Sequence, residues 1–241
     1  MTPSALHLLQ ERANQLVQSY ESQRRSIGLM GFLLPAALIG WSIGFQQGMR
    51  NSISAYYYTA MGSIMVGTLC AIAVFLWSYK GYLPLPGERI TDRATARTGA
   101  IGAALTAMAP IVPPPGWPQT VLQQIFGNTT SEALHWIGAA LFFGALSVFC
   151  LILFVRGDTS KPRKRRQNAV YRICGGIILS SMVAIVLLKL IPGLGRALAP
   201  YHPVFWLEAL AIVAFANSWL IKGHAGRAVQ AVVTRMRAGL R

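Results

Sequence analysis

Apolar runs long enough to cross a lipid bilayer recur along this chain of 241 residues. A transmembrane helix needs about 20 mostly apolar residues to cross ~30 Å of hydrocarbon. Six segments meet or approach that length, at residues 27–45, 59–79, 94–112, 135–155, 173–191 and 204–221. Hydrophobic residues make up 54% of the chain and charged residues 12%, which excludes a disordered protein, a coiled coil and an ordinary soluble enzyme. The sequence therefore predicts an all-α, polytopic bundle of six transmembrane helices.

Basic residues are distributed unevenly between the segments that connect these spans. Nineteen Lys and Arg residues lie in four segments: before the first span, around the connection from span two to three, around the connection from span four to five, and after the sixth span. The other three connections together contain only two basic residues. Cytoplasmic loops of membrane proteins carry such an excess. The span 94–112 is the weakest of the six by hydropathy, but the alternation of basic segments requires it. Without it, the cluster at 161–166 would face the opposite side from Lys80, Arg89 and Arg93. We therefore expect both termini to be cytoplasmic, in a bacterial cytoplasmic (inner) membrane.

The weak span is rich in small residues, which let helices approach closely. We expect it to pack inside the bundle rather than against lipid. Residues 1–26 and 222–241 flank the transmembrane domain, 27–221, and their apolar residues recur at helical spacing. Both are predicted to be amphipathic helices on the cytoplasmic membrane surface. A tail that docks a partner or binds nucleic acid is the less favoured alternative.

Membrane lipids are the expected partners of the basic cluster in the fourth connection. Anionic headgroups are expected to contact Lys161, Arg163, Lys164, Arg165 and Arg166. The same cluster could bind RNA, but it is most typical of a topology determinant that touches lipid phosphates. No nucleic acid is therefore expected as a partner, and a homo-oligomer is left open.

Polar side chains gather near the outer ends of several spans. Glu208 is the only acidic residue well inside a span, and residues of this kind usually face the bundle interior and have partners. The nearest partners by depth are Lys189 and His135. A candidate binding pocket that opens to the outer leaflet consists of Arg50, Ser54, Tyr56, Tyr57, Tyr58, His135, Lys189 and Glu208. The alternative is a structural polar contact between helices, with Lys189 snorkelling to the interface and the aromatic residues acting as interface anchors.

Three functions are compatible with this pocket. The leading hypothesis is non-enzymatic: the pocket binds or senses a lipid or small amphiphile. The second is a small transporter or channel, which requires polar residues that continue from Glu208 towards Asn217. The third and least favoured is an intramembrane hydrolase, with His135 and Glu208 as acid/base groups and Ser54 as the nucleophile.

Motifs for a bound metal or cofactor are missing from the sequence. It contains no phosphate-binding glycine loop, no His-Glu-x-x-His pair and no Gly-x-Ser-x-Gly motif. We therefore expect neither a metal nor a cofactor. The three cysteines lie in apolar runs and are expected to be small buried residues without disulfides: Cys70, Cys150 and Cys174.

Several short motifs resemble those of known membrane proteins. They are SISAYYY at 52–58, FLWSYKGY at 75–82, RRQNAVYR at 165–172, FWLEAL at 205–210 and SWLIKG at 218–223. Together they resemble a group of uncharacterised bacterial six-helix membrane proteins. The entry to the second span is also distantly similar to the damage-regulated autophagy modulator and Sfk1-like membrane proteins. This second resemblance implies a lipid-related or regulatory role and brings no catalytic residues.

Overall fold

The structure is a computed structural model that describes the backbone of residues 3–84, 86–157 and 159–238 and the side chains of residues 21–84, 86–157 and 159–223. These described residues are helical or irregular, without a β-strand. The α-helices are α1 (Pro3–Gly44), α2 (Gly62–Ser78), α3 (Asp92–Met108), α4 (Val121–Phe126), α5 (Asn128–Val148), α6 (Pro162–Leu190), α7 (Pro192–Leu198) and α8 (Pro203–Ala238). A π-helical turn, Phe149–Leu153, follows α5, and the segments Ser54–Tyr58 and Ala199–Tyr201 are 3-10 helices.

Four helices are long and apolar enough to span a membrane. They are Glu21–Gly44 within α1, Asn128–Leu153, Pro162–Leu190, and Pro203–Gly223 within α8. The prediction of an all-helical protein with apolar, membrane-spanning helices is therefore confirmed at this level. The other two predicted spans correspond to α2 and α3, which have 17 residues each and so a length of about 25 Å. Six crossings, and the sides on which the termini lie, stay predictions.

Three helices extend beyond their predicted limits. Helices α1 and α8 continue without a break across the expected borders at 26/27 and 221/222. Helix α6 starts at Pro162, so most of the basic cluster forms its first turn instead of a loop. Pro suits the first helical position, and Lys and Arg are good helix formers, which explains the early start. The side chains of the two predicted amphipathic faces lie outside the described residues.

Helix α3 packs tightly against α5 through small residues. A Cβ atom at Gly138 would lie 2.8 Å from the backbone nitrogen of Thr106, and one at Gly102 would overlap the backbone nitrogen of Phe142. The backbones of the two helices therefore touch, because neither glycine has a side chain. The opposite face of α3 carries Ile101, which is 47% exposed.

A buried aromatic cluster surrounds Trp219 on α8. Trp219 packs edge-on against Phe149, Phe215 and Tyr79, with ring centroids 5.1–5.6 Å apart. We call the end that carries the 3-10 helix Ser54–Tyr58 and the starts of α5 and α8 the Ser54 end. The opposite end, which carries the α2–α3 connection and the start of α6, is the Lys222 end. Glu208 and Lys222 lie 14 residues apart on α8, a rise of about 21 Å.

The contact between α3 and α5 predicts a strong effect of a single added methyl group. We expect Gly102→Ala to lower the free energy of unfolding in detergent by about 1–3 kcal/mol, because the two helices must separate. Gly144→Ala on α5 is the matched control, since nothing lies within 4 Å of a Cβ there. Thermal unfolding of both variants measures the difference, and equal stabilities would contradict the close packing.

Candidate functional site

The connection between α1 and α2 folds back onto the start of α8. The backbone N–H of Ile53 donates to Oε2 of Glu208 at 2.6 Å. The backbone N–H of Phe205 donates to the carbonyl oxygen of Asn51 at 3.0 Å, and Nδ1 of His202 lies 2.9 Å from Oδ1 of Asn51. These three contacts hold residues 51–53 against α8 and position the next residue, Ser54.

Tyr56 anchors this connection in the core. Its side chain is fully buried, and its hydroxyl group is 2.5 Å from Oγ of Ser42 on α1. Its ring centroid is 5.7 Å from that of Phe205 and 6.1 Å from that of Trp41. Tyr56 therefore packs in the core against α1 and the start of α8 and is not exposed in a pocket.

Ser54 and His135 form a hydrogen-bonded pair. Oγ of Ser54 lies 2.8 Å from Nε2 of His135, and Nδ1 of His135 lies 2.9 Å from the carbonyl oxygen of Ala109, just after α3. A carbonyl oxygen can only accept, so Nδ1 carries a proton. In the neutral ring Nε2 is then the acceptor for the Ser54 hydroxyl group. Both side chains are buried, His135 to all but 3%.

A cavity of about 290 Å³ opens beside this pair. Its lining comes from the 51–55 segment, the α3–α4 connection, α5, the end of α6 and α8. The lining residues are Asn51, Ser52, Ser54, Ala55, Ile111, Val112, Glu132, His135, Trp136, Lys189, Val204 and Glu208. We call this cavity the Ser54 pocket. It combines apolar walls with carboxylates, a lysine and the Ser54–His135 pair.

The charged groups of the Ser54 pocket have both signs. Nζ of Lys189 lies 4.5 Å from the ring centroid of Trp136, a cation–π contact. Nε1 of Trp136 donates to Oε1 of Glu132 at 3.4 Å. Glu208 is half-buried and accepts the hydrogen bond from Ile53. The pocket can therefore meet a cationic and an anionic group of one ligand.

A second cavity of about 370 Å³ adjoins the Ser54 pocket and shares Asn51 and Ala55 with it. Arg50 and Tyr58 line this neighbouring cavity. Tyr57 packs edge-on against Tyr58, with the centroids 5.0 Å apart, and is not in the lining of either cavity.

Tyr58 is held by hydrogen bonds to the α3–α4 connection. Burial raises the pKa of Tyr57 and of Tyr58 above the usual phenol value, so both hydroxyl groups keep their protons at neutral pH. The Tyr58 hydroxyl donates to the carbonyl oxygen of Ile111 at 2.6 Å and accepts from Nε2 of Gln123 at 3.0 Å. It is thereby fixed in the wall of the neighbouring cavity.

The structure thus brings together four of the eight residues of the predicted pocket: Ser54, His135, Lys189 and Glu208. Arg50, Tyr57 and Tyr58 lie beside it, and Tyr56 lies behind it. Sequence reasoning missed Asn51 and Glu132 as lining residues. The position of Glu132 could have been predicted from its spacing to His135, because residues three positions apart lie on the same face of a helix.

The geometry of the Ser54–His135 pair suits proton transfer, since a serine next to a neutral histidine is the arrangement of an activated nucleophile. Two neighbouring backbone donors are engaged elsewhere: Ile53 donates to Glu208, and the N–H of Ala55 donates to Ser52. They are not free to stabilise an oxyanion. Among the described residues no three His, Cys, Asp or Glu side chains lie close enough to hold a metal ion.

Comparison of the chain with models of protein families, with curated proteins and with solved structures finds no match. The resemblance of the motifs at 52–58 and 205–210 to known membrane proteins therefore stays a prediction. The chemistry and position of the Ser54 pocket are the basis on which a function can be proposed.

Proposed function

We propose that this chain is a six-span protein of the bacterial cytoplasmic membrane that binds or senses a lipid or small amphiphile in the Ser54 pocket, with both termini cytoplasmic. The observation that carries the proposal is the pocket itself. Apolar side chains, charges of both signs and a buried Ser–His pair line one cavity at the end of helices that are long enough to span a membrane.

Contacts at both ends of the bundle support six spans. At the Lys222 end, Nη2 of Arg24 donates to the hydroxyl group of Tyr79, just after α2, at 2.9 Å. Arg156 donates to the carbonyl oxygen of Ile90, just before α3, at 2.9 Å. The other end of α3 meets His135 at the Ser54 end. Helices α2 and α3 therefore run between the same two ends as α5, which favours their crossing the membrane with it.

The lining of the pocket supports an amphiphile as the ligand. Ile111, Val112 and Val204 offer an apolar surface for an acyl chain, while the amine of Lys189 and the carboxyl group of Glu208 offer polar partners for a headgroup. Small-molecule sites typically combine apolar walls with a few convergent polar groups in this way. The lipid-related role that the motif at 52–58 implies agrees with this proposal.

Anionic headgroups are the proposed partners of the basic cluster at the opposite end. Arg163, Arg165 and Arg166 are exposed at the start of α6, together with Lys161. Long basic side chains next to a membrane-spanning helix attract anionic lipid. Lys164 is half-buried and turns inward, because its Nζ donates to the carbonyl oxygen of Phe154 at 2.8 Å.

Hydrolysis is the second candidate function, and the Ser54–His135 hydrogen bond favours it. The engaged backbone donors beside Ser54 favour binding instead. The channel alternative gains no support from α8, because its buried residues between Glu208 and Asn217 are apolar within the described part of the chain: Ala209, Ala211, Ile212, Ala214, Phe215 and Ala216.

The six-span arrangement predicts the sides of two exposed residues. With Cys70, Cys150 and Cys174 replaced by Ala, we expect Gln119→Cys to react in intact cells with a membrane-impermeant maleimide. Lys161→Cys should react only after permeabilisation, because basic segments stay cytoplasmic. Labelling of both positions from the same side would contradict the arrangement.

The Ser54 pocket predicts a ligand that co-purifies in mild detergent. We expect native mass spectrometry to detect a bound amphiphile, and Lys189→Ala or Glu208→Gln to reduce its retention by about tenfold, the effect of losing ~1.4 kcal/mol. Lys80→Ala, a change of an exposed lysine in the α2–α3 connection, is the matched control. If the pocket variants fold and retain the ligand as the wild type does, the pocket is not the binding site.

The second candidate is tested with a fluorophosphonate probe, which modifies activated serines. If the pocket only binds its ligand, we expect no labelling of Ser54. Labelling that disappears in Ser54→Ala and in His135→Gln, and persists in Ser52→Ala, would identify a hydrolase. Mass spectrometry of the labelled peptide identifies the modified residue.

A further inference from the structure

A cavity at the Lys222 end has the composition of an anion site. Its volume is about 340 Å³. Its polar lining includes Lys222 from α8, Lys164 from α6, Arg156, and Asp92 from the start of α3. Tyr82 contributes an aromatic wall. None of these residues belongs to the Ser54 pocket.

Lys222 is a buried lysine whose amine lies against aromatic rings. Its side chain is only 9% exposed, and within the described residues it forms no salt bridge and no hydrogen bond. Its Nζ lies 5.4 Å from the ring centroid of Tyr82 and 5.3 Å from that of Phe154. Cation–π contacts replace only part of the lost hydration of an ammonium group. The group is thus prepared for a ligand that supplies negative charge.

The carboxylates around this cavity are already engaged. Glu88 forms a salt bridge with Arg156 at 3.3 Å. Oδ2 of Asp92 accepts from the backbone N–H of Tyr82 at 2.8 Å. Lys164 forms no salt bridge within the described residues, and of the three protons on its Nζ the bond to Phe154 uses one. Glu88 is thus paired with Arg156, whereas Asp92 accepts only from a neutral backbone N–H. The two lysine amines of the cavity therefore share a single carboxylate, Asp92, that forms no salt bridge within the described residues.

Arg24 adds a positive charge to this region, and Tyr171 adds a buried hydroxyl group. Arg24 is 7% exposed, and its guanidinium carbon lies 5.5 Å from the ring of Tyr82, on the wall of the cavity. Its hydrogen bonds go to the neutral phenol of Tyr79. The hydroxyl group of Tyr171 is buried with no hydrogen-bond partner, and Nζ of Lys164 lies 5.8 Å from the ring of the same residue.

We propose that the cavity lined by Lys222, Lys164 and Arg156 binds a phosphate-type oxyanion. A phosphate group presents several strong acceptor oxygens, which suits two lysines that have donors left over. Leu83 and Leu153 on the same cavity give an apolar flank, and Leu83 is 92% exposed. The same chemistry could come from the headgroup of an anionic lipid or from a free phosphate.

The test uses the full chain in mild detergent and measures thermal unfolding. Phosphatidylglycerol is added in one arm, phosphatidylcholine in a second, and inorganic phosphate in a third against chloride at equal ionic strength. We expect phosphatidylglycerol or phosphate to raise the midpoint by several degrees. A response to phosphatidylglycerol alone identifies a lipid headgroup, and a response to phosphate as well identifies a free phosphate. No response to either overturns the proposal.

The variant Lys222→Met separates a binding role from a structural one. We expect it to unfold at a higher temperature than the wild type without ligand, because a buried amine that forms no salt bridge is removed. Its affinity for the effective anion should fall by about tenfold or more. Lys80→Met, on an exposed lysine of the neighbouring connection, should change neither quantity. If Lys222→Met lowers stability and leaves the anion response unchanged, Lys222 is a structural cation and the proposal fails.

The Ser54 pocket provides a control for independence. Lys189→Ala should leave the anion response at the Lys222 end intact, because the two sites lie about 20 Å apart along the helices. Loss of the anion response in Lys189→Ala, with Lys222→Met unaffected, would move the anion to the Ser54 pocket and overturn this assignment.

Discussion

The close approach of α3 and α5 sets the geometry of the Ser54–His135 pair. Because Gly102 and Gly138 have no side chains, the two backbones meet, and their relative register is set there. His135 lies three residues before Gly138, and Ala109 follows the end of α3. The same register therefore brings the carbonyl oxygen of Ala109 to Nδ1 of His135 and leaves Nε2 for Ser54. Backbone packing between two helices thus orients the most polar pair of the molecule.

Polar chemistry is divided between the two ends of the bundle. Phe215 and Trp219, which pack against each other, lie between Glu208 and Lys222 along α8. At the Ser54 end Lys189 lies in one cavity with Glu132 and Glu208, whereas at the Lys222 end Lys164, Arg156 and Lys222 line one cavity. This separation follows from the cost of placing charged groups among apolar helices, which confines them to the ends. Two sites with different preferences for ligands can then exist in one small protein.

The position of polar side chains along the helices could be predicted from the sequence. The side of the helix to which each side chain points could not. Glu208, Lys189 and His135 were expected at similar depths, and they line the same pocket. Tyr56 was expected at that depth too, yet it faces inward to Ser42. The limits of the helices could likewise be predicted only in part. Apolar runs predicted where helices lie, but hydropathy did not indicate that α6 begins within a basic cluster. The resemblance to a group of six-helix membrane proteins predicted none of these contacts.

Composition and hydropathy were enough to predict that the chain is helical, that apolar runs of membrane-spanning length are present, and that basic residues concentrate in alternate connections. Each of these properties depends on many residues together, so it can be predicted without knowledge of any single contact. Only the tertiary structure decided that Ser54 meets His135, that Glu208 accepts from Ile53, and that Lys222 is buried without a carboxylate. Each of these depends on how helices rotate and pack against one another, and that is set by contacts between residues far apart in the chain.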